Sequence, residues 1–243
     1  MSGVATHELV HWGDERLRLG PWRARSDIGY LSPVPGGRSP RVDAVRHSLE
    51  IAGERGFNAI VTAALSPSET LAFIDAGFVE RERLHLLGHE LIELPEVPAV
   101  HLRRARRGDR ERVLEIDAEA FDDFWTMDEV GLADAVTATP SSRYRVAEER
   151  GQVIGYSVHG RSGSGGYVQR IAVDPRVQGR GVGAALVVDG LRWMRRRGCV
   201  RAVVNTQITN QRAYELYLRL GFVPEPHGLV VLELSLDGTT IPR

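Results

Sequence analysis

Apolar residues follow a strand pattern and then a helix pattern in the second half of the chain. From Tyr167 to Val173 apolar and β-branched residues dominate before an Asp-Pro turn, which predicts a strand and its exit. From Ala184 to Arg197 apolar residues recur at helical spacing, which predicts a helix packed against a sheet. The pattern then predicts a strand at 200–205, a helix at about 209–220 and a strand at 229–236.

The first half of the chain shows the same order of patterns. It predicts a helix at 42–55, a strand at 59–63, a helix at 66–76 and a strand at 84–94. In both halves the second helix ends on Gly-Phe-Val, which follows a capping glycine by 21 residues (Gly56 to Gly77) and by 23 residues (Gly198 to Gly221). This shared order predicts an internal duplication, and a chance match of two common αβ units is the alternative.

Residues 100–166 predict the elements that complete a domain around the second copy. These are a short strand at 101–105, helices at 108–121 and 127–138, and a hairpin of strands at 144–148 and 153–159. The whole order of elements is typical of a mixed α/β sheet flanked by helices.

The region before the first copy is less regular. Residues 1–40 indicate a short strand at 16–19 and an irregular loop rich in proline and glycine at 33–40. Two prolines within 93–98 predict a linker. We therefore expect a partial lobe at 1–96 and a complete domain at 100–237.

Residues 178–183 read Gln-Gly-Arg-Gly-Val-Gly and lie between the predicted strand and helix of the second half. The first amides of a helix lack partners within the helix, its dipole favours an anion, and glycines let the backbone close around that anion. This stretch is therefore a candidate phosphate-binding turn, with a plain helix start as the alternative. The corresponding stretch at 35–40 reads Pro-Gly-Gly-Arg-Ser-Pro, and because proline removes backbone donors, the first half is predicted to be a degenerate copy.

Composition narrows the function classes. The chain has 243 residues, 42% of them hydrophobic, and a net charge of −1, which argues against nucleic acid or a membrane surface as a partner. It has no lysine, which excludes a lysine nucleophile, and a single cysteine, Cys199, which excludes an internal disulfide and a multi-cysteine metal site. We expect no metal. The sequence shows neither a long apolar run nor a signal-peptide pattern, so a cytoplasmic protein is expected.

Residues 100–236 resemble a Gcn5-related N-acetyltransferase (GNAT) domain. The turn at 178–183 matches the family's acyl-CoA loop, Gln/Arg-x-x-Gly-x-Gly/Ala, and Ile-Ala-Val-x-Pro at 171–175 precedes it as in the family. A second family segment, Asn-x-x-Ala-x-x-x-Tyr-x-x-x-Gly-Phe, appears from Asn210 to Phe222. The resemblance implies the GNAT fold, a central mixed sheet flanked by helices. With its partial, degenerate first lobe, the whole chain resembles a tandem GNAT protein.

The resemblance also implies functional residues. Tyr217 matches the family's general-acid tyrosine, which protonates the leaving thiolate, although an aromatic ring that packs on the sheet would look the same in the sequence. Asn210 matches the family's cofactor-side asparagine, and a helix N-cap is its alternative role. The residues implied to bind the cofactor are Ile171, Ala172, Val173, Gln178, Gly179, Arg180, Gly181, Val182, Gly183, Ala184 and Asn210.

The general base is not evident from the sequence. Relatives that acetylate protein N-termini often carry a glutamate five residues before the motif asparagine, and here that position is Asn205. Other candidates are Asp122, Asp123, Glu119 and His159, each of which has an ordinary surface or packing role as its alternative. Water can also carry the proton from a partly neutral amine. Family architecture implies that a corner at 121–125 lies beside the acceptor, formed by Phe121, Asp122, Asp123, Phe124 and Trp125.

The function implied by the resemblance is acetyl transfer from acetyl-CoA to a primary amine, by direct attack in a ternary complex. The alternative is a catalytically weak CoA-binding sensor or scaffold protein, which the asparagine at position 205 keeps open. The expected partners are an acyl-CoA and an amine acceptor, with one cofactor per chain bound in the second half. The chain is expected as a monomer, in which the two copies form a pseudo-dimer, or as a homodimer.

Overall fold

A computed structural model describes residues 7–34 and 36–238 of the chain. Pro35, which belongs to the predicted loop at 33–40, lies outside the described residues, as does the start of the predicted lobe at 1–96. The chain divides into two compact units: unit 1 comprises Met1–His85 and Pro226–Arg243, and unit 2 comprises Leu86–Glu225. Within the described residues, no helix is long and apolar enough to cross a membrane.

The elements in chain order are β1 (Glu8–Trp12), β2 (Glu15–Trp22), β3 (Arg25–Pro33), α1 (Val42–Glu54), β4 (Ala59–Thr62), α2 (Pro67–Asp75), β5 (Val79–His89), β6 (Leu102–Arg104), α3 (Arg110–Ala120), α4 (Glu129–Thr137), β7 (Ser141–Glu149), β8 (Gln152–Ser162), β9 (Gly165–Val173), α5 (Val182–Arg196), β10 (Arg201–Gln207), α6 (Gln211–Arg219), β11 (Val223–Pro224) and β12 (Leu229–Ser235). The mixed α/β sheet flanked by helices is therefore confirmed.

Unit 1 is a sheet covered by α1 and α2. Its strands lie in the order β1, β2, β3, β4, β12 and the first part of β5, and only the β3–β4 pair is parallel among the strand registers of this unit. The core contains Leu19, Leu31, Ile60 and Phe73, all fully buried. The pattern predicted a single short strand at 16–19 before the helices, whereas the structure has three strands there, β1, β2 and β3. The alternation of buried and exposed residues in these strands is hard to recognise in the sequence, because their exposed positions are strongly polar.

Unit 2 is a sheet with helices on both faces. Its strands lie in the order β10, β9, β8, β7, β6, the last part of β5 flanks β10, and β9–β10 is a parallel pair. Successive side chains of a strand point to opposite faces. Tyr156 of β8 contacts Asp117 of α3, whereas its neighbour Gly155 packs against Leu186 of α5. The helices α3 and α5 therefore cover opposite faces of this sheet.

Two strands differ from the sequence-based expectation. The predicted strand at 84–94 begins earlier and ends earlier, as β5 (Val79–His89). The predicted strand at 229–236 was expected to complete the domain at 100–237, but β12 pairs with β4 and with residues 79–84 of β5, and so belongs to unit 1. Periodicity predicts that a segment is a strand and does not identify its neighbours, so the expected ranges 1–96 and 100–237 differ from the two units.

A fragment of residues 100–237 is therefore expected to lose the cooperative thermal unfolding that a fragment of residues 86–225 retains. The fragment of residues 100–237 lacks the last part of β5, which pairs with β11 through Gly88 and Leu87 and flanks β10. It also contains β12 without the strands that β12 pairs with, β4 and the first part of β5. Exposed, unpaired strand edges favour aggregation. Circular dichroism melts of both fragments test this. Equal midpoints and equal solubility would contradict it.

Candidate functional site

The glycine-rich turn lies between β9 and α5 in unit 2. Gly179 has a φ of +82° and Gly181 a φ of +83°, a left-handed region in which a side chain is strained. Gly181 is the N-cap of α5, and a Cβ built on it would lie 2.9 Å from Cγ of Pro98. The turn thus requires glycine for both conformation and space, and it leads into the first amides of a helix of 15 residues.

The two parallel strands next to the turn separate along their length. The register joins Gly165, Gly166 and Tyr167 of β9 to the first three residues of β10 and goes no further. The rest of β9, up to Val173, pairs with β8 on its other edge. The edge of β9 that faces away from β8 is therefore open beyond Tyr167, where its backbone groups are available to an extended ligand.

The corresponding strands of unit 1 do not separate in this way. There β3 pairs with every residue of β4, from Ile28 opposite Ala59 to Leu31 opposite Thr62. The amide of Ala63 then continues the contact by donating to the carbonyl of Leu31 at 3.3 Å. Unit 1 and unit 2 therefore differ in the pairing of these two parallel strands.

Gln178 connects the turn to both neighbouring elements. Its Nε2 donates to the carbonyl of Val173 at 3.0 Å, at the end of β9. Its Oε1 accepts a hydrogen bond from Nη1 of Arg212 on α6. The two stretches that the sequence identified separately, 178–183 and 210–222, are therefore brought together by a side-chain contact.

The other residues predicted to bind the cofactor surround the same turn. Ala172 and Val182 are buried, Ile171, Val173, Gly183 and Ala184 are half-buried, and Arg180 is exposed and pairs with Glu149. A Cβ on Gly183 would lie 3.3 Å from Cδ2 of Leu216 on α6, so glycine permits close packing of the two helices. Asn210 is the N-cap of α6, because its Oδ1 accepts from the amide of Ala213 at 3.1 Å.

Tyr217 lies on α6 and is only 3% exposed. Its ring contacts Phe222 edge-to-face, with ring centroids 5.5 Å apart. Burial raises the pKa of the Tyr217 phenol above its ordinary value, and the Arg170 cation opposes part of that rise. The phenol is therefore protonated throughout the neutral range, as a proton donor must be.

Unit 1 carries a phenylalanine at the matching position. Phe73 precedes Gly77 by the same interval that separates Tyr217 from Gly221, and it contacts Phe78 edge-to-face with centroids 5.3 Å apart. The two rings thus have the same packing role, and only the second one has a hydroxyl group.

Asp174 organises the segment between β9 and the turn, and the sequence did not single it out. Its carboxylate accepts from Nε of Arg176 at 2.9 Å and from the Arg176 amide at 2.9 Å, and it also pairs with Arg112 of α3. The hydrogen bonds from Arg176 lower the pKa of Asp174 to about 2. An Asp-Pro pair before the turn was visible in the sequence, but its arginine partners were not.

The predicted acceptor corner at 121–125 forms a tight turn after α3. The carbonyl of Asp122 accepts from the amides of Trp125 at 3.0 Å and Thr126 at 2.9 Å. Phe124 is buried, its ring lies edge-to-face with Trp125 at 5.1 Å, and Asp123 is exposed. The Asp122 carboxylate accepts from Nε2 of Gln207 at 3.3 Å, at the end of β10.

The candidate bases fall into different surroundings. His159 is fully buried beneath α5, its Nε2 contacts the carbonyl of Leu186 at 3.1 Å, and burial lowers its pKa to about 4. It packs on the face of β8 opposite the corner, so the structure does not place it beside the proposed acceptor side. Glu119 lies within 4 Å of Arg112 and Arg176.

Asp122 differs from these because it contacts the end of β10. Gln207 lies two residues after Asn205 and therefore on the same face of the strand. The structure thus places the Asp122 carboxylate beside the strand that often carries a glutamate in relatives that acetylate protein N-termini. Within the described part of the chain, no group of three or more His, Cys, Asp or Glu side chains could hold a metal ion.

A buried polar cluster behind the corner had no signal in the sequence. Asp117 of α3, Tyr156 of β8 and Arg170 of β9 are at most 9% exposed and hydrogen-bond to one another. Their positions are 39 and 53 residues apart from Asp117, so no local pattern joins them.

Comparisons with known proteins match the part of the chain that contains this site. A sequence profile of the acetyltransferase (GNAT) family matches residues 110–222, from the start of α3 to the end of the second family segment. The mycothiol acetyltransferase of Amycolatopsis mediterranei is 33% identical over 167 residues, which covers 59% of this chain and 55% of that protein. That of Acidothermus cellulolyticus is 30% identical over 172 residues, covering 60% and 53%. The chain spans about half the length of the curated relatives it matches.

Solved structures resemble the chain over most of its length. A tandem GNAT protein from the clavulanic acid biosynthesis pathway matches with a TM-score of 0.69 at 16% identity, over 96% of this chain and 83% of that one. A GCN5-related N-acetyltransferase from Kribbella flavida matches with a TM-score of 0.67 at 15% identity, over 96% and 91%. At these identities the likeness is one of fold.

Proposed function

We propose that the chain is an acetyl-CoA-dependent N-acetyltransferase, because a profile of the acetyltransferase (GNAT) family matches residues 110–222. It moves an acetyl group to a primary amine by direct attack in a ternary complex. The observation that carries the proposal is the separation of β9 from β10 beside the glycine turn, with Tyr217 on the adjoining helix. One extended ligand is proposed to contact the open edge of β9, the start of α5 and the helix that carries the Tyr217 phenol.

The surroundings of the turn fit an acyl-CoA. The backbone amides of the turn and of the first residues of α5 are proposed to bind the pyrophosphate, since glycine at 179, 181 and 183 leaves room for close approach. The open edge of β9 beyond Tyr167 is proposed to pair with the pantetheine arm through its backbone groups. Bound acetyl-CoA supplies the acetyl thioester.

The chain's own residues then have two proton roles. The Tyr217 hydroxyl is proposed to donate its proton to the departing sulfur. The Asp122 carboxylate, at the end of β10, is proposed to hold the acceptor ammonium and to receive its proton directly or through water. Phe121, Phe124 and Trp125 form the apolar part of this acceptor side.

Unit 1 is proposed to bind no cofactor. Its strands β3 and β4 stay paired over all of β4, and Phe73 stands in place of the phenol. Residues 36–40 of the loop before α1, together with Pro35, include two prolines and lack the Gly-x-Gly order of 179–181. The proposed stoichiometry is therefore one acetyl-CoA per chain, in unit 2.

The curated relatives are named as mycothiol acetyltransferases, so the acceptor of that enzyme is the first amine to test. Purified protein is incubated with acetyl-CoA and a panel of small amines and peptides, and free thiol is measured together with mass spectrometry of the acetylated product. We expect acetylated product and free thiol in equal amounts with at least one amine, and loss of most of this activity in Asp122→Asn.

The alternative, a CoA-binding sensor or scaffold, gives a different result in the same experiment. It predicts acetyl-CoA binding by calorimetry without thiol release above the buffer rate for any amine. Absence of acetyl-CoA binding would contradict both functions, and binding of two molecules per chain would contradict the proposed stoichiometry.

A further inference from the structure

A single buried arginine connects the cofactor strand to the acceptor corner. Arg170 of β9 directly precedes Ile171 and is 9% exposed. Its Nε donates to Oδ2 of Asp117 at 2.8 Å and its Nη2 donates to Oδ1 of Asp117 at 2.7 Å, so the pair is bidentate. Tyr156 donates its hydroxyl proton to the same carboxylate. The charge of Arg170 is thus fixed in position from two sides.

The same guanidinium also contacts the corner itself. Nη2 of Arg170 donates to the carbonyl of Trp125 at 2.7 Å, and Cζ lies 3.5 Å from the centre of the Phe121 ring. Asp117, held by Arg170, accepts from the amide of Met127 at 2.6 Å. The corner is therefore attached at its start, at its middle and at its end to one ion pair.

Only arginine can make this set of contacts at once. A planar guanidinium presents a fork to the carboxylate, a further N–H to a carbonyl and a flat face to an aromatic ring. Lysine would keep the charge but would lose the fork and the stacking on Phe121. The substitution Arg170→Lys therefore separates the role of geometry from the role of charge.

We propose that Arg170 is a positioning residue that sets the acceptor corner at 121–127 against the cofactor strand, so that the amine and the thioester meet in a preformed site. The inference rests on the proposed function for its kinetic part. Arg170 acts through Asp117, Phe121 and Trp125, whereas Tyr217 acts on the reacting atoms. In support, the Arg170 cation opposes the burial-driven rise of the pKa of Tyr217, so it lies within electrostatic range of that phenol.

Unit 2 offers a matched control. Arg143 of β7 forms a second bidentate pair, with Nε and Nη2 at 2.7 Å and 2.9 Å from the carboxylate of Asp189 on α5. This pair contacts α5 and has no contact with the corner among the hydrogen bonds described above. Arg143→Lys therefore removes a comparable bidentate contact, keeps the charge and leaves residues 121–127 undisturbed.

Hydrogen exchange of the unliganded full chain tests the positioning without relying on activity. In Arg170→Lys we expect exchange at the amides of Trp125, Thr126 and Met127 to accelerate by about tenfold or more, because opening the corner costs less. In Arg143→Lys exchange at these amides should match the wild type. Unchanged exchange in Arg170→Lys, or the same acceleration in both variants, would overturn the proposal.

Kinetics test what the corner does. In Arg170→Lys we expect kcat/KM for the amine to fall by about tenfold to a hundredfold through misplacement of the acceptor, while the calorimetric Kd for acetyl-CoA stays within about twofold. Equal loss of both affinities, or an unchanged amine KM, would overturn the inference. If no amine is a substrate, the exchange result still decides the positioning while the proposed function fails.

A second variant covers the case in which Arg170→Lys does not fold. Arg170→Met combined with Asp117→Leu removes both charges together, which buried ion pairs tolerate better than the loss of one partner. This double variant should fold, keep acetyl-CoA binding and show the same faster exchange at Trp125 and Thr126, whose amides donate to the Asp122 carbonyl and not to Asp117. Wild-type exchange in this variant would also overturn the proposal.

Discussion

Gly181→Val is expected to weaken acetyl-CoA binding by at least about tenfold, measured by calorimetry as a rise in Kd. Gly181 has a φ of +83°, which costs an ordinary residue about 1–2 kcal/mol and a β-branched residue more. The new Cβ would also lie 2.9 Å from Cγ of Pro98. The turn can relieve the backbone strain and the contact with Pro98 only by changing its conformation. Its amides then move away from the positions in which they are proposed to bind the pyrophosphate.

Gly198→Val is the matched control for this change. Gly198 follows the other end of the same helix, has a φ of +80° and has nothing within 4 Å of a built Cβ. It should lower the thermal midpoint through the same backbone strain as Gly181→Val, without the contact with Pro98, and leave the Kd for acetyl-CoA unchanged. An unchanged Kd in Gly181→Val, or an equal rise in both variants, would contradict the assignment of the turn.

Tyr217→Phe is expected to lower kcat by about 10²–10⁴, the range that general acid–base groups contribute. The Kd for acetyl-CoA should change by less than about twofold, because the ring that packs against Phe222 is retained. The equivalent position in unit 1 already holds Phe73 with the same edge-to-face packing, so the fold accommodates phenylalanine there. Steady-state kinetics at saturating acetyl-CoA, together with calorimetry, measure both quantities.

The pH dependence follows from the direction of the Tyr217 shift. Burial raises the pKa of this phenol above its ordinary value of 10, so the proton-donating form persists through neutral and mildly alkaline pH. At pH values up to 10, ionisation of Tyr217 should therefore cause no loss of the wild-type kcat. A loss of kcat with a midpoint below that value, absent in Tyr217→Phe, would contradict the shift.

Tyr214→Phe serves as the control on the same helix. Tyr214 lies three residues before Tyr217 and does not match the family segment. The kcat of the Tyr214→Phe variant should equal that of the wild type. Equal kcat in Tyr217→Phe and the wild type would reject the proposed acid, and equal losses in both variants would indicate a general effect on α6.

The sequence was most informative about chemistry where all contributing residues are close together along the chain. The glycines at 179 and 181, the N-cap Asn210 and the Gly-Phe endings are local features, because each depends on backbone conformation within a few residues. The helices α1, α2, α5 and α6 were predicted for the same reason. The structure adds the contact through Gln178 and Arg212 that joins the two motifs.

The sequence was less informative about the general base and the corner. His159 was a candidate because its residue type suits acid–base chemistry, and burial beneath α5 removed it. Asp122 became distinct from Asp123 only through its contact with Gln207, which lies 85 residues away. The contacts by which Arg170 holds the corner involve three elements, α3, β8 and β9. No periodicity in the sequence relates these elements to one another.

By itself, the sequence determined most of the order of helices and strands from α1 onward and the repeated helix–strand order of the two halves. It also carried the match of residues 110–222 to the acetyltransferase (GNAT) profile and identified candidate binding and acid residues at 178–183 and 217. Only the tertiary structure decided that β12 pairs with the strands of unit 1. It also decided that β9 and β10 separate along their length whereas β3 and β4 stay paired. The cluster of Asp117, Tyr156 and Arg170 likewise exists only in the tertiary structure. The physical reason is that hydrophobic periodicity reports which face of a segment is buried. Which segment covers that face, and which strand edge stays open, depends on pairing between residues far apart in the chain.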